Sequence, residues 1–227
     1  MSLWRWPRGI AEVPLAHRVT LGEGDTPLIR SRAVGPSAGL EQLWFKLDHC
    51  NPTASFKDRY ASVAISHMQA AGQTRCIATS SGNTGASLAA YCAAANITCH
   101  IALVETAPLG KLQQMLAYGA NIMRVRGFGL DIDITADVFD ALVEIADAPD
   151  AALQISAFRY SPIGMSGIRS VSFELHEQLD PLQARRRARR TRPPWARRAR
   201  CSAPSLLSLI HISEPTRRTP ISYAVFC

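Results

Sequence analysis

The stretch CIATSSGNTGASLAAYCAAANITCHIALV (Cys76–Val104) decides the fold. It opens on a short apolar run, CIAT (Cys76–Thr79), that reads as a strand. A turn of Ser, Gly and Asn follows, and from Thr84 to Ala95 the spacing is Ala-rich and helical. Asn96 stands where a helix C-cap is expected, and TCHIALV (Thr98–Val104) resumes a strand. A strand, a helix and a strand with short turns between them make one parallel crossover unit.

Working outward, the same alternation repeats on both sides. LWFKL (Leu43–Leu47), NIMRVR (Asn121–Arg126) and ALQIS (Ala152–Ser156) read as strands. Asp58–Ala71, Leu109–Tyr118 and Ile132–Ala146 carry helical spacing, and a further helix is expected from Met165 to Leu179. Gly72 and Gly119 sit at expected C-caps with the next strand close behind. The fold class expected is α/β, with parallel sheets flanked by helices.

The chain of 227 residues is 47% hydrophobic, enough for a buried core. Its net charge of +7 suggests nucleic acid until the charge is located. Through Asp180 there are 14 basic against 17 acidic side chains; from Pro181 there are 11 Arg against Glu214 alone. The body is mildly acidic and the basicity belongs to one tail, so no nucleic-acid partner is expected of the body. No apolar run is long enough to span a bilayer, and the N-terminus has no continuous apolar stretch after its basic residues. The compartment expected is the cytosol. Cys50, Cys76, Cys92, Cys99, Cys201 and Cys227 form no CxxC pair, the six histidines are scattered, and no metal site is expected. Reduced structural thiols are the reading for these cysteines.

The alternation stops at Asp180, which divides the chain into 1–180 and a tail, 181–227. PLQARRRARRTRPPWARRARCSAP has almost no aliphatic residues and cannot form a core, so the tail is expected to be disordered. Read as codons, Leu207–Arg217 and Ile221–Cys227 look like the two constant parts of a transposase-type sequencing adapter, with Arg218–Pro220 as the index between them. The preceding Arg/Pro-rich stretch resembles a shifted reading frame in GC-rich DNA. The tail is therefore read as non-native. The competing reading is a basic, non-enzymatic nucleic-acid-binding arm.

Two segments carry chemistry. In NPTASFKDR (Asn51–Arg59), Asn-Pro makes a turn, and Thr53 or Ser55 can cap a helix beginning near Phe56. Lys57 then falls in the first helical turn, where the helix dipole and free N–H groups disfavour a protonated amine. Such a lysine either forms a Schiff base or simply points into water. In TSSGNTGAS (Thr79–Ser87), Ser80, Ser81, Asn83 and Thr84 offer polar groups, and Gly82 and Gly85 let the backbone approach a ligand. A helix N-terminus after a parallel strand favours anions such as a carboxylate, although an ordinary capped turn has the same composition. The P-loop and GxGxxG spacings are both missing from this segment, which leaves a nucleotide-phosphate cradle unsupported.

Together, NPTASFKDR and SSGNTGAS resemble the fold-type II pyridoxal-phosphate (PLP) enzymes, the threonine synthases most closely. The resemblance extends to LGEGDTPL (Leu21–Leu28), APLGKLQQMLAYGANIMRVRG (Ala107–Gly127) and GMSGIRSVSFELHEQL (Gly164–Leu179), and covers Val19 to Asp180. It implies PLP as cofactor, held covalently by Lys57, which then moves protons as base and acid. It also implies that Asn83 hydrogen-bonds the ring hydroxyl, and that Ser81, Gly82, Asn83 and Thr84 hold the α-carboxylate of an amino-acid substrate. Phe56 is placed to pack beside the cofactor or to serve as a core aromatic. The reaction implied is O-phospho-L-homoserine plus water to L-threonine plus phosphate, by an enzyme expected to be a homodimer at full length. The alternative within the superfamily is a serine/threonine ammonia-lyase.

Departures bear on the substrate more than on the cofactor. Ala54 stands where the pattern usually has Gly, Tyr60 replaces a small residue, and Ser166 and Arg169 stand where relatives often have Glu and Lys. Members of this family bind the PLP phosphate with a later Gly-rich loop, and nothing after Asp180 offers one. The chain is accordingly expected to be an inactive N-terminal fragment that binds PLP weakly or not at all. Lys111 is expected to be a solvated helix-start lysine or to lie near the cleft. His49 and Cys50 could line an entrance, and Asp48 could be only a polar strand end.

Overall fold

The computed structural model of the protein describes residues 2–7, 9–80, 82–179, 208–211 and 224–226. In chain order its elements are β1 (Leu28–Arg30), α1 (Val34–Ser37), β2 (Leu43–Lys46), α2 (Lys57–Ala70), β3 (Arg75–Thr79), α3 (Asn83–Ala95) and β4 (Thr98–Leu103). They continue with α4 (Leu109–Ala117), β5 (Asn121–Arg124), α5 (Ile132–Ala146), β6 (Ala151–Gln154) and α6 (Pro162–Ser166). After a 3-10 turn the chain is helical over 170–179, and β7 (Ser208–His211) and β8 (Ala224–Phe226) close the order. They form two compact units. Unit one is Met1–Asp25 with Asn51–Ser170, and unit two is Thr26–Cys50 with Val171–Cys227.

Unit one holds a four-stranded parallel sheet in the order β5-β4-β3-β6. From β3 the chain steps outward to β4 and β5, then crosses back to lay β6 on the other side of β3. Because such crossovers are right-handed, the reversal puts α5 on the opposite face from α3 and α4. Alternate strand residues report the two faces. Cys76, Ala78, Ile101 and Leu103 pack with Tyr60, Ile65, Leu88 and Tyr91, whereas Ile77 and Ala102 pack with Phe128 and Leu142. Thr84 to Cys92 of α3 are buried without interruption, which an Ala-rich helix permits because no long side chain needs an outlet.

Helix ends follow their cap residues. Gly72, Asn96 and Gly119 close α2, α3 and α4 in the left-handed region, with φ of +71°, +55° and +82°. The first 25 residues, in which the sequence pattern shows no element, cover α2. Leu3 and Ile10 cluster with Val63, Trp4 Nε1 donates to Ser62 Oγ at 3.1 Å, and the Val19 N–H donates to Ser66 Oγ at 2.8 Å.

The helix expected from Met165 to Leu179 is broken into α6, the turn Gly167–Arg169 and the helix over 170–179. A Cβ at Gly167 would run into the backbone carbonyl oxygen of Arg59, so this turn lies directly on α2. In unit two, β1 pairs antiparallel with β2, β7 pairs parallel with β2, and β8 pairs antiparallel with β7. β1 and α1 are too short, at 3 and 4 residues, for a period to be read. The fully buried Lys46 ammonium pairs with Glu174 at 2.6 Å and donates to the Thr26 carbonyl at 2.7 Å. Of the tail, only β7 and β8 fall among the described residues. Among those residues no helix is long and apolar enough to cross a membrane.

Candidate active site

In an open parallel sheet, ligands bind beyond the carboxyl ends of the strands, where the strand order reverses. Here that place lies between β3 and β6, and the segments following those strands begin at Ser80 and Ile155. Lys57, the first residue of α2, sends its amine there. Its Nζ donates to Ser156 Oγ at 2.9 Å, and Ser156 Oγ lies 2.7 Å from Thr84 Oγ1 at the start of α3. Three segments distant in the chain thus meet through one hydroxyl.

The turn before Lys57 is held by the residue after it. Asp58 is fully buried, and its carboxylate accepts from both the N–H and the hydroxyl of Thr53. The Thr53 hydroxyl also lies 2.9 Å from Ser87 Oγ of α3, so the lysine loop is fastened to the neighbouring helix. Burial pushes the Asp58 carboxyl up, against the hydrogen bonds from Thr53 that pull it down. Of the two cap candidates, Thr53 donates its hydroxyl proton to Asp58. Ser55 does receive the Lys57 N–H, at 3.2 Å. Ala54 sits between them at φ +62°, in the left-handed region where its family pattern has Gly.

The Lys57 amine is held below its ordinary 10.5, the direction the sequence suggested, by desolvation on burial. Its Nζ stands 4.7 Å from the Phe56 ring centroid. At the mouth of α3, Ser80 Oγ accepts from the Gly82 and Gly85 N–H groups at 3.2 and 2.9 Å, and so caps the helix. Nothing lies within 4 Å of a Cβ built at Gly82, which leaves that backbone open to a ligand. Gly85 serves a different purpose: its Cβ would fall 2.8 Å from Met115 Sδ, so it admits α4. Asn83 Oδ1 is buried and has no hydrogen-bond partner among the described residues. A buried acceptor without a donor is costly, and it fits a ligand that brings a hydroxyl. Ser81 lies outside the described residues.

Other candidates take structural places. Tyr60 is fully buried, donates to Gln154 Oε1 at 3.2 Å, and would be the neighbour of any Cβ at Gly164. Ser166 accepts from the Ala11 N–H at 2.9 Å and donates to the Ile163 carbonyl at 2.6 Å. Lys111 is buried rather than solvated and donates to Gln114 Oε1 at 3.1 Å. His49 and Cys50 are exposed in unit two, where Asp48 is buried and accepts from Thr26 Oγ1 at 2.6 Å. The sequence missed Ser156, which was legible only as the end of a strand. It also missed the meeting of Cys76, Cys92 and Cys99 in the core.

Residues 19–185 match the family model described as "Pyridoxal-phosphate dependent enzyme". The threonine synthase of Methanocaldococcus jannaschii is 33% identical over 181 residues, covering 79% of this chain and 42% of that protein. The threonine synthase of Bacillus sp. (strain ULM1) is 36% identical over 162 residues, covering 71% of this chain and 43% of that protein. The structure of maize serine racemase superposes with a TM-score of 0.56 at 26% identity, covering 68% of this chain and 45% of that one. The chain thus spans less than half the length of these relatives.

Proposed function

The chain belongs to the pyridoxal-phosphate dependent enzyme family, and from that membership we propose that it carries the lysine-bearing part of a lyase of the threonine synthase type. The proposed reaction turns O-phospho-L-homoserine and water into L-threonine and phosphate. The observation that carries the reading is the half-buried Lys57 amine, lowered in pKa and fixed by Ser156 beside the α3 mouth. The orphaned Asn83 Oδ1 supports the cofactor assignment, since the PLP ring offers the hydroxyl it needs.

When bound, PLP supplies the electron sink, and the protein supplies orientation and proton transfer. Lys57 would hold the ring through Nζ and, when that amine is free, would carry protons at the same atom. Burial disfavours the protonated amine, which is the direction a base requires. Ser156 accepts from Nζ and shares a hydrogen bond with the Thr84 hydroxyl, which limits where the amine can point. Asn83 would orient the ring through Oδ1, which has no partner among the described residues. Phe56 covers one side of the lysine, with its ring 4.7 Å from Nζ. Ser81, Gly82, Asn83 and Thr84 receive the substrate carboxylate, where the N–H groups of the first turn of α3 favour an anion.

A serine/threonine ammonia-lyase is the second reading, kept because a racemase of serine shares the architecture. The native protein containing residues 19–180, supplied with PLP, should release phosphate from O-phospho-L-homoserine as threonine accumulates. Formation of pyruvate from serine or 2-oxobutyrate from threonine, without phosphate release, would transfer the assignment to the ammonia-lyase.

A further inference from the structure

Cys76, Cys92 and Cys99 take no part in the site above, yet their three Sγ atoms lie within 4.8 Å of one another and all three residues are buried. Cys76 and Cys99 are register partners on β3 and β4, and Cys92 comes from α3. At about 3.3 Å per strand residue, Cys76 lies about 13 Å before Ser80. At about 1.5 Å per helical residue, Cys92 lies about 13 Å beyond Asn83. The two estimates agree: the thiols gather at the end of the helix–sheet pair remote from Lys57.

We propose that Cys76, Cys92 and Cys99 form a binding site for a trivalent thiophile of the arsenite class, each sulfur supplying one bond. The donor set is soft and homogeneous, which selects thiophilic ions over oxygen-seeking ones. With bonds of about 2.3 Å, the pyramidal geometry of arsenic(III) puts its three sulfurs about 3.4 Å apart, inside the observed spread. Zinc prefers a fourth ligand, whereas the three cysteines belong to a buried apolar core cluster, and among the described residues no fourth Cys, His, Asp or Glu joins them. Copper(I) on three thiolates would leave two net negative charges in this apolar core, which is strongly unfavourable. Arsenic(III) on three thiolates is neutral. The step balances without redox change: As(OH)3 and three Cys–SH give As(S–Cys)3 and three waters. Three As–O and three S–H bonds break as three As–S and three O–H bonds form. Because the thiols are closed to solvent, uptake follows local opening of α3 from the sheet and is slow.

The test uses the full chain with Cys50, Cys201 and Cys227 changed to Ser, titrated with arsenite in the absence of thiol reductants. Native mass spectrometry should show one arsenic gained and three hydrogens lost, and X-ray absorption should count three sulfurs around it. Cys92→Ala should weaken binding at least tenfold. Cys76→Ala provides a second such variant, and the hydrogen count on the parent protein needs neither. The proposal is overturned by no binding to the folded protein, by loss of only two hydrogens, by unchanged affinity in both variants, or by displacement of arsenic by equimolar copper(I).

Discussion

The Lys57 amine and the Ser156 hydroxyl are 2.9 Å apart across 99 residues of chain. The bond joins the first turn of α2 to the segment after β6, and Thr84 extends it to α3 at 2.7 Å. The amine is therefore positioned only when all three crossover segments have assembled, and a local sequence motif cannot hold it alone.

Ser156→Ala should destabilise unit one by about 1 kcal/mol, the usual net value of one hydrogen bond. It should also slow covalent capture of PLP by Lys57 without moving the capture elsewhere. Denaturant unfolding and borohydride trapping of bound PLP read the two effects. Unchanged trapping would mean that the hydroxyl does not position the amine.

The chain has three lysines, at 46, 57 and 111, which makes that trapping clean. Lys46 is ion-paired with Glu174, and Lys111 is bonded to Gln114, so neither amine is offered as Lys57 is. Peptide mapping after borohydride reduction should find the pyridoxyl group on Lys57 first, and Lys57→Ala should remove it. Because reduction is irreversible, weak PLP affinity does not prevent the measurement. Equal labelling of Lys46 would sink the assignment.

Burial lowers the Lys57 pKa from its ordinary 10.5, and the sign of the stability effect follows. Between the folded pKa and 10.5 the unfolded chain binds more protons, so stability rises with pH across that window. At neutral pH the folded protein instead bears the cost of a buried ammonium. Lys57→Met should raise the unfolding midpoint at pH 7, and the gain should shrink as the pH approaches 10.5. A gain independent of pH would trace to packing rather than to charge.

Much of unit one was legible because its signals are local. Ala-rich spacing and the cap residues Gly72, Asn96 and Gly119 mark three helices to within a residue or two. Lys57 and Thr84 were legible as members of motifs. Ser156 was not, because nothing in ALQIS reveals that its last hydroxyl meets a lysine from another crossover. Which of Thr53 and Ser55 would meet the helix was not legible either: Thr53 donates to Asp58, and Ser55 Oγ accepts the Lys57 N–H. The thiol cluster was illegible because strand register, rather than spacing along the chain, brings Cys76 beside Cys99.

Gly167→Ala should be among the most damaging small changes in unit one. Its Cβ would meet the Arg59 backbone carbonyl, which cannot rotate away as a side chain can. Overpacking of this kind costs about 1–3 kcal/mol. Since Arg59 lies two residues beyond Lys57, the displaced α2 should also trap PLP more slowly. A variant with wild-type thermal stability would show that the turn does not press on α2.

Ala54→Gly should act in the opposite sense. Ala54 occupies φ +62° inside the lysine loop, a conformation held by its N–H bond to the Asn51 carbonyl at 2.8 Å. The left-handed region costs an Ala about 1–2 kcal/mol that Gly does not incur. Gly gives back roughly 0.5–1 kcal/mol of this through its greater freedom when unfolded. The net expectation is a gain of up to about 1.5 kcal/mol, or roughly 3–6 °C in Tm at that limit for a chain of this size. The loop geometry should stay as it is, so Lys57 should trap PLP at the same rate in the variant. A fall in Tm would show that Ala54 is not strained.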